Sequence, residues 1–311
     1  MRSYNMHIVG TGSYLPKKIV TNYQVSQLNN TDPQWALEKI GIRTRFISED
    51  NEYTSDIAVG AVNSALDSAG MKAKDLELLI LATATPDMQA PSTASIVQKK
   101  IGALNCVSFD ISAACSGFLY ALSIAYSLME TGNYLRGAVV GADRFSTITD
   151  WTKKDSYFFG DGAGAVILSR SPEKKIFEFN LKNDPKGVYN FSVPFGKAFQ
   201  MDGKKVYECA LALVTQEAST LFKRCHIVPE YIDHVIPHQP SVHLLADIAE
   251  SISIPFNKFH TNMDRLANTA GATIPIVLDE ALRSGYIFRG QKLLFLAAGA
   301  GMTGGVILAE Y

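Results

Sequence analysis

The chain has 311 residues, 47% hydrophobic and 19% charged, with 29 Lys and Arg set against 30 Asp and Glu for a net charge of −1. That length can bury a large core, and a near-neutral chain lacks the basic field expected of a nucleic-acid or anionic-membrane binder. No apolar run reaches transmembrane length, and the stretch from Met1 to Gly10 has no signal-peptide core.

Apolar runs of strand length alternate with stretches of helical periodicity, which predicts a layered α/β protein. Leu76-Glu-Leu-Leu-Ile-Leu-Ala reads as a strand after a helix ending near Ala69-Gly70. Cys106 precedes a second short strand, Val107 to Ile111. A helix is then expected to begin at Cys115 itself, because Phe118, Leu119, Leu122, Ile124, Ala125 and Leu128 recur at helical spacing and Gly132 closes the run. A thiol at a helix N-terminus feels free N–H groups and the positive dipole end, which favour thiolate and make a nucleophile. Taken alone, any one cysteine is more often a small core residue. Gly160-Asp-Gly-Ala-Gly looks like a phosphate loop but lacks the GK[ST] ending, so a tight structural turn is expected there. Farther on, Ile232 to Ile236 reads as a strand ending in Pro237-His238, with a helix starting near Ser241. Asn268 stands just before another helix that runs to about Ser284. His238 and Asn268 would supply a proton-transfer or hydrogen-bonding group and a neutral amide donor, both of which thioester chemistry uses. Singly, each is more often a cap or a satisfied loop residue. With Cys209 and Cys225, the four cysteines form no CxxC pair and no metal-ligand spacing, and read as reduced thiols of a cytoplasmic protein.

The two halves, 1–171 and 172–311, echo each other around a boundary near Pro172. Leu76-Glu-Leu-Leu-Ile-Leu-Ala resembles Ile232-Asp-His-Val-Ile-Pro-His, and Thr131-Gly-Asn-Tyr-Leu-Arg-Gly resembles Ser284-Gly-Tyr-Ile-Phe-Arg-Gly. Gly162-Ala-Gly-Ala-Val-Ile-Leu resembles Thr303-Gly-Gly-Val-Ile-Leu. This predicts two copies of one βα unit about a pseudo-twofold axis. Setting Arg136-Gly137 on Arg289-Gly290, a shift of 153, puts Cys115 on Asn268. Cys115 and Asn268 are therefore expected at equivalent helix starts that meet across the axis. His238, opposite Ala82 at a shift of 156, is expected on the same rim.

Those residues resemble the β-ketoacyl-acyl-carrier-protein synthase III family of thiolase-like condensing enzymes over nearly the whole length. The marks are Gly10-Thr-Gly-Ser-Tyr-Leu-Pro, Trp35 followed by Gly41-Ile-Arg-Thr-Arg, Ala113-Ala-Cys-Ser-Gly-Phe, Phe159-Gly-Asp-Gly-Ala-Gly-Ala, Pro237-His-Gln-Pro, and Asn268-Thr with Ala272. The resemblance implies a five-layered αβαβα fold, a homodimer and a ping-pong decarboxylative condensation with no resident cofactor. Cys115 would take an acyl group from acyl-CoA, and the backbone N–H groups of Cys115 and Ala300 would form the oxyanion hole. His238 and Asn268 would hold the enolate formed from a malonyl thioester. Trp35, Lys39, and Lys153 or Lys154, with Lys154 preferred, would meet the CoA nucleotide, while Gly203 and Ser241 would line its pantetheine arm.

The departures are as specific as the matches. Where the family docks its acidic carrier protein on basic residues, this chain has Glu208, His243, Glu250 and Ser251, so delivery on malonyl-acyl carrier protein is an altered partnership. The bulky gate at the family's subunit interface corresponds to Ala90, and the aromatic before the C-terminal glycines corresponds to Ala298, which together imply an acyl pocket larger than acetyl needs. Gly304 stands where the family has Trp. The apolar stretches Ile80–Thr85 and Ser92–Ile101 are assigned to the dimer interface. A synthase III-like acyltransferase of specialised metabolism with another acceptor remains a rival reading. A thiolase would need a second cysteine where Ala297-Ala-Gly-Ala-Gly stands, and a non-catalytic partner subunit would lack Cys115.

Overall fold

The computed structural model describes residues 3–311. Met1 and Arg2, at the head of the stretch read for a leader, lie outside the described residues. In order the elements are β1 (Ser3–Tyr14), β2 (Lys18–Thr21), α1 (Asn22–Asn29), α2 (Pro33–Lys39), β3 (Thr44–Ile47), α3 (Thr54–Ala69), β4 (Leu78–Ala82), α4 (Thr93–Ile101), β5 (Val107–Ile111), α5 (Gly117–Glu130) and β6 (Arg136–Arg144). Then follow β7 (Asp161–Asn183), β8 (Phe191–Ser192), β9 (Gln200–Met201), α6 (Gly203–Cys225), β10 (His234–Pro237), α7 (Val242–Ser251), α8 (Met263–Leu266), α9 (Thr273–Arg283), β11 (Lys292–Gly299) and β12 (Thr303–Glu310).

Five layers result, in the αβαβα order that the resemblance implies. Leu78, Ile80 and Ala82 of β4 face the middle of the molecule, against Phe118 and Leu122 of α5 and Leu278 of α9. The alternate residues Leu79 and Leu81 face outward, against Ile57 and Val62 of α3 and Val97 of α4. On the second sheet Leu293, Phe295 and Ala297 of β11 meet the same middle layer. Leu294 and Leu296 meet Val214 of α6 and Leu244 and Ile248 of α7. Strands covered on both faces have no polar side to show, which is why β4 and residues 293–298 of β11 read as unbroken apolar runs. No helix among the described residues is long and apolar enough to cross a membrane.

The strand order is β5-β4-β6-β7 with β1 also on β7, then β7-β12-β11-β10. One strand serves both sheets. The early part of β7 pairs with β1 and β6, and its Phe177–Asn183 stretch pairs with β12. Pro172 therefore lies inside a strand and not in a linker. The repeat register also differs from the expectation. Leu78 matches His234, Ala114 matches Ala270, Gly117 matches Thr273 and Arg136 matches Lys292, an offset of 156 each time. Cys115 thus corresponds to Gly271, and Asn268 stands three residues before that glycine. The Arg-Gly pairs misled because Arg136 opens β6 while Arg289-Gly290 precedes β11.

One further expectation is corrected. Leu78–Ala82 is a central strand, and Thr83 and Thr85 beyond it are buried, so the Ile80–Thr85 stretch is core of its own subunit. The first sheet instead ends on β5, with Val107 48% exposed. The Gly160 turn is structural: Asp161 accepts from Ser48 N–H at 2.8 Å and from the Ser146 hydroxyl at 2.6 Å.

The substitution of Gly304 now has a physical reason. Gly304 pairs with Ala298 in the β11–β12 ladder, and a Cβ there would lie 2.7 Å from Leu213 Cδ2 and 2.8 Å from the Ala297 carbonyl oxygen. Helix α6 is seated too close for any side chain. Gly304→Ala should destabilise the fold by about 1–3 kcal/mol through overpacking, read as a lower denaturant midpoint with an unchanged slope.

Candidate active site

Three chain turns meet at the C-terminal ends of β5, β10 and the stretch before α9. Beyond β5, Ala114 takes a left-handed φ of +46°, which breaks helical geometry, so Cys115 lies in a 3₁₀ turn (Ala114–Ser116) and α5 starts only at Gly117. The end of β11 presses on this turn. A Cβ on Gly299 would stand 2.8 Å from the Cys115 nitrogen and 2.9 Å from that of Ser116, so glycine is required. Thr303 locks the contact, with its hydroxyl 2.7 Å from Ser116 Oγ and donating to the Ala113 carbonyl at 3.1 Å.

His238 leaves β10 with its N–H on the Leu296 carbonyl at 2.8 Å. Its Nδ1 lies 2.8 Å from the Thr273 hydroxyl, which donates to the Ala270 carbonyl at 2.9 Å. With that proton committed, Nδ1–H donates to Thr273 and Nε2 is left as an acceptor. The Asn268 amide is oriented by its Oδ1, which accepts from Ala270 N–H at 2.8 Å; Nδ2 then points at His238 Nε2, 3.5 Å away. That separation is at the outer limit of a hydrogen bond, so the amide keeps donor capacity for another oxygen.

Cys115, His238 and Asn268 all line one cavity of about 220 Å³, with Phe158 and Phe159 on the same wall. Among the other predicted residues, Lys39, Gly203, Ser241, Ala298 and Ala300 line this cavity too. Ser241 also caps α7, accepting from Leu244 N–H at 3.2 Å. Trp35 and Lys154 stand apart from the cavity but together, the Lys154 ammonium 3.9 Å over the indole ring. Lys153 instead faces Asp150 at 3.8 Å. Ala90 is exposed, precedes a cis proline bond, and does not line the cavity of its own chain. Glu208, His243, Glu250 and Ser251 are all exposed on α6 and α7, as a docking surface requires.

The electrostatics overturn the thiolate expectation. Burial pushes the Cys115 thiol up to about 12, the Asp143 carboxylate adds to the rise, and the Cys115 N–H opposes it only in part. A dipole at a short, water-poor turn is outweighed by desolvation. Burial also holds His238 down, at about 3. At neutral pH the site is an uncharged thiol facing an uncharged imidazole. Among the described residues no group of three or more His, Cys, Asp or Glu is placed to hold a metal ion.

Sequence reading missed Thr273 and Asp143. Thr273 opens α9 five residues after Asn268, and a charged residue after the apolar run 138–142 was a visible signal at Asp143. The pairing of Ser116 with Thr303 had no signal, because two small hydroxyls 187 positions apart share no local pattern.

Residues 109–185 match the model of the 3-oxoacyl-[acyl-carrier-protein (ACP)] synthase III family, and residues 222–311 match the model of its C-terminal part. The β-ketoacyl-[acyl-carrier-protein] synthase III of Clostridium beijerinckii is 37% identical over 322 aligned positions, covering 99% of each chain. That of Neisseria meningitidis is 39% identical and covers 98% of each. The crystal structure of 3-oxoacyl-[acyl-carrier-protein] synthase III from Aquifex aeolicus superposes with a TM-score of 0.95 at 35% identity over 100% of both chains. The chain is a thiolase-like condensing acyltransferase. It belongs to the 3-oxoacyl-[acyl-carrier-protein] synthase III family.

Because the thiol is protonated and the imidazole neutral, alkylation of Cys115 by iodoacetamide should rise about tenfold per pH unit from 7 to 9 without a plateau. Intact mass against a Cys115→Ser control reads this. A plateau at neutral pH would instead show a stable thiolate–imidazolium pair.

Proposed function

We propose that Cys115 carries the acyl group of a decarboxylative Claisen condensation that joins an acyl-CoA primer to a malonyl thioester in fatty-acid initiation. The observation that supports this most is the meeting of Cys115, His238 and Asn268 in one cavity. As Cys115 Sγ attacks the thioester carbonyl, His238 Nε2 takes the thiol proton and passes it to the departing CoA sulfur. Backbone N–H groups of Cys115 and Ala300 receive the tetrahedral oxyanion, each such donor contributing about 3 kcal/mol.

In the second half-reaction the malonyl carboxylate leaves as CO₂, and Asn268 Nδ2–H donates to the enolate oxygen beside His238. The enolate carbon attacks the acyl carbon, the C–S bond to Cys115 breaks, and the cysteine sulfur regains a proton from solvent through His238. The products are a 3-ketoacyl thioester and free Cys115. The reaction calls for no resident cofactor.

Gly203 and Ser241 at the cavity wall suit the pantetheine arm of CoA, and the Trp35–Lys154 pair, with Lys39, suits its nucleotide. We assign the two halves as 1–171 and 172–311, joined within β7, and a cytoplasmic homodimer formed on the exposed β5 edge, since an unpaired edge invites a second strand. Malonyl delivery on an acyl carrier protein would use Lys204 and Lys205, which stand one turn before Glu208 on α6. Lys204 is 86% exposed at its side chain.

Incubation with acyl-CoA should add the acyl mass to the wild type and not to Cys115→Ala. No adduct from any acyl-CoA would overturn the reading. Asn268→Ala should lower ¹⁴CO₂ release from carboxyl-labelled malonyl thioester by about 10²-fold, with acylation of Cys115 the less affected step. Acylation without any ¹⁴CO₂ release in the wild type would favour a different acceptor nucleophile.

A further inference from the structure

The cavity does not end at the three reacting groups. Beyond them it runs between α6, α7 and β11, where it is walled by Val214, Leu245, Ile248 and Leu296. These residues are 1%, 0%, 2% and 1% exposed, so this branch is an unfilled space inside a core otherwise closed to water. Ala210 and Ala298 line the cavity on the α6 and β11 sides, each contributing only a methyl group. Protein interiors are normally packed without such voids, and a void walled by aliphatic side chains stays dry and takes apolar guests. The polar and charged lining residues Lys39, Ser241, His238 and Asn268 belong to other elements or to the start of α7, and the Tyr207 hydroxyl, on α6, is already donated to Asp247 at 2.5 Å. Nothing in the branch can pair with the amides of a pantetheine arm. A hydrocarbon chain is the occupant its chemistry fits. Gly304 contributes by letting α6 seat flush on the hairpin that carries Ala298.

We propose that the acyl group on Cys115 turns inward into this branch, and that the enzyme therefore primes with straight-chain acyl groups well beyond acetyl. Ala298 and Ala210 set its width, and Ile248 and Leu245 set its length. The inference rests on the acylation of Cys115 proposed above: the Sγ–C(O) bond forms as the CoA C–S bond breaks, and the cysteine proton leaves with CoA. The branch does not depend on Ala90, which does not line the cavity of its own chain.

The test is competition among equimolar acetyl-, butyryl-, hexanoyl-, octanoyl- and decanoyl-CoA, with adducts on Cys115 read by intact mass. Wild type should carry octanoyl in preference to acetyl. Ala298→Phe should lower the octanoyl-to-acetyl ratio by about tenfold or more, the scale on which apolar pockets discriminate chain length. Ile248→Ala should move the preference toward decanoyl, and it decides the matter if Ala298→Phe does not fold. Ala90→Phe should not reproduce the fall. A wild type that accepts acetyl alone, or a ratio that falls in Ala90→Phe and not in Ala298→Phe, would overturn the branch while leaving the condensation intact. No adduct of any length would overturn acylation itself and the branch with it.

Discussion

The Asp143 carboxylate, fully buried at the end of β6, accepts from the Ala84 N–H at 2.7 Å and from the Thr83 and Thr85 hydroxyls at 3.2 Å. Its second oxygen accepts from Gly271 N–H at 2.8 Å. One side chain thus ties the strand ends of the first sheet to the turn between Asn268 and Thr273. Burial raises its pKa to about 7 despite those donors, so the tie is held against a desolvation cost and depends on every donor being in place. Asn268 and Thr273 orient the amide and the imidazole from that same turn, and Cys115 lies close enough to feel the carboxylate.

The three reacting side chains that result are water-poor and uncharged. Aromatic rings close around the cysteine, with Phe145 and Phe159 stacked at 4.4 Å and Phe159 edge-on to Phe199 at 5.0 Å. Low polarity explains the raised thiol and the lowered imidazole together, since each charged form loses hydration that no neighbour replaces. It also makes the few fixed donors, the N–H groups near Cys115 and the Asn268 amide, stronger than they would be in water.

Much of this was legible in the residues. Val107–Ile111 and the end of α5 near Gly132 followed from periodicity and terminator chemistry, and so did a helix start near Ser241, where α7 begins. His238 and Asn268 were visible because each stands at the boundary of an element. The local reading failed where tertiary contact decides. A left-handed Ala114 displaced the helix start, and desolvation outweighed the dipole at Cys115. The short Arg-Gly echo fixed the repeat three residues out of register, because a loop motif can slip where paired strands cannot. Gly304 made sense only once Leu213 was seen against it.

The passage of β7 through both sheets has a mechanical consequence. A hinge between two halves needs a flexible segment crossing between them, and here the crossing is a continuous strand whose backbone is paired with β1 and β6 before the passage and with β12 after it. Around Pro172 the ladder is interrupted, with residues 171–174 outside the registers of β1, β6 and β12. β1 spans that interruption, pairing with β7 at Arg170 before it and at Lys175 and Ile176 after it, so two strands tie the halves together and a substrate reaches Cys115 through the mouth of the cavity. Opening must come from side chains and short loops around Lys39 and Gly203, so the scaffold stays still while the rim breathes.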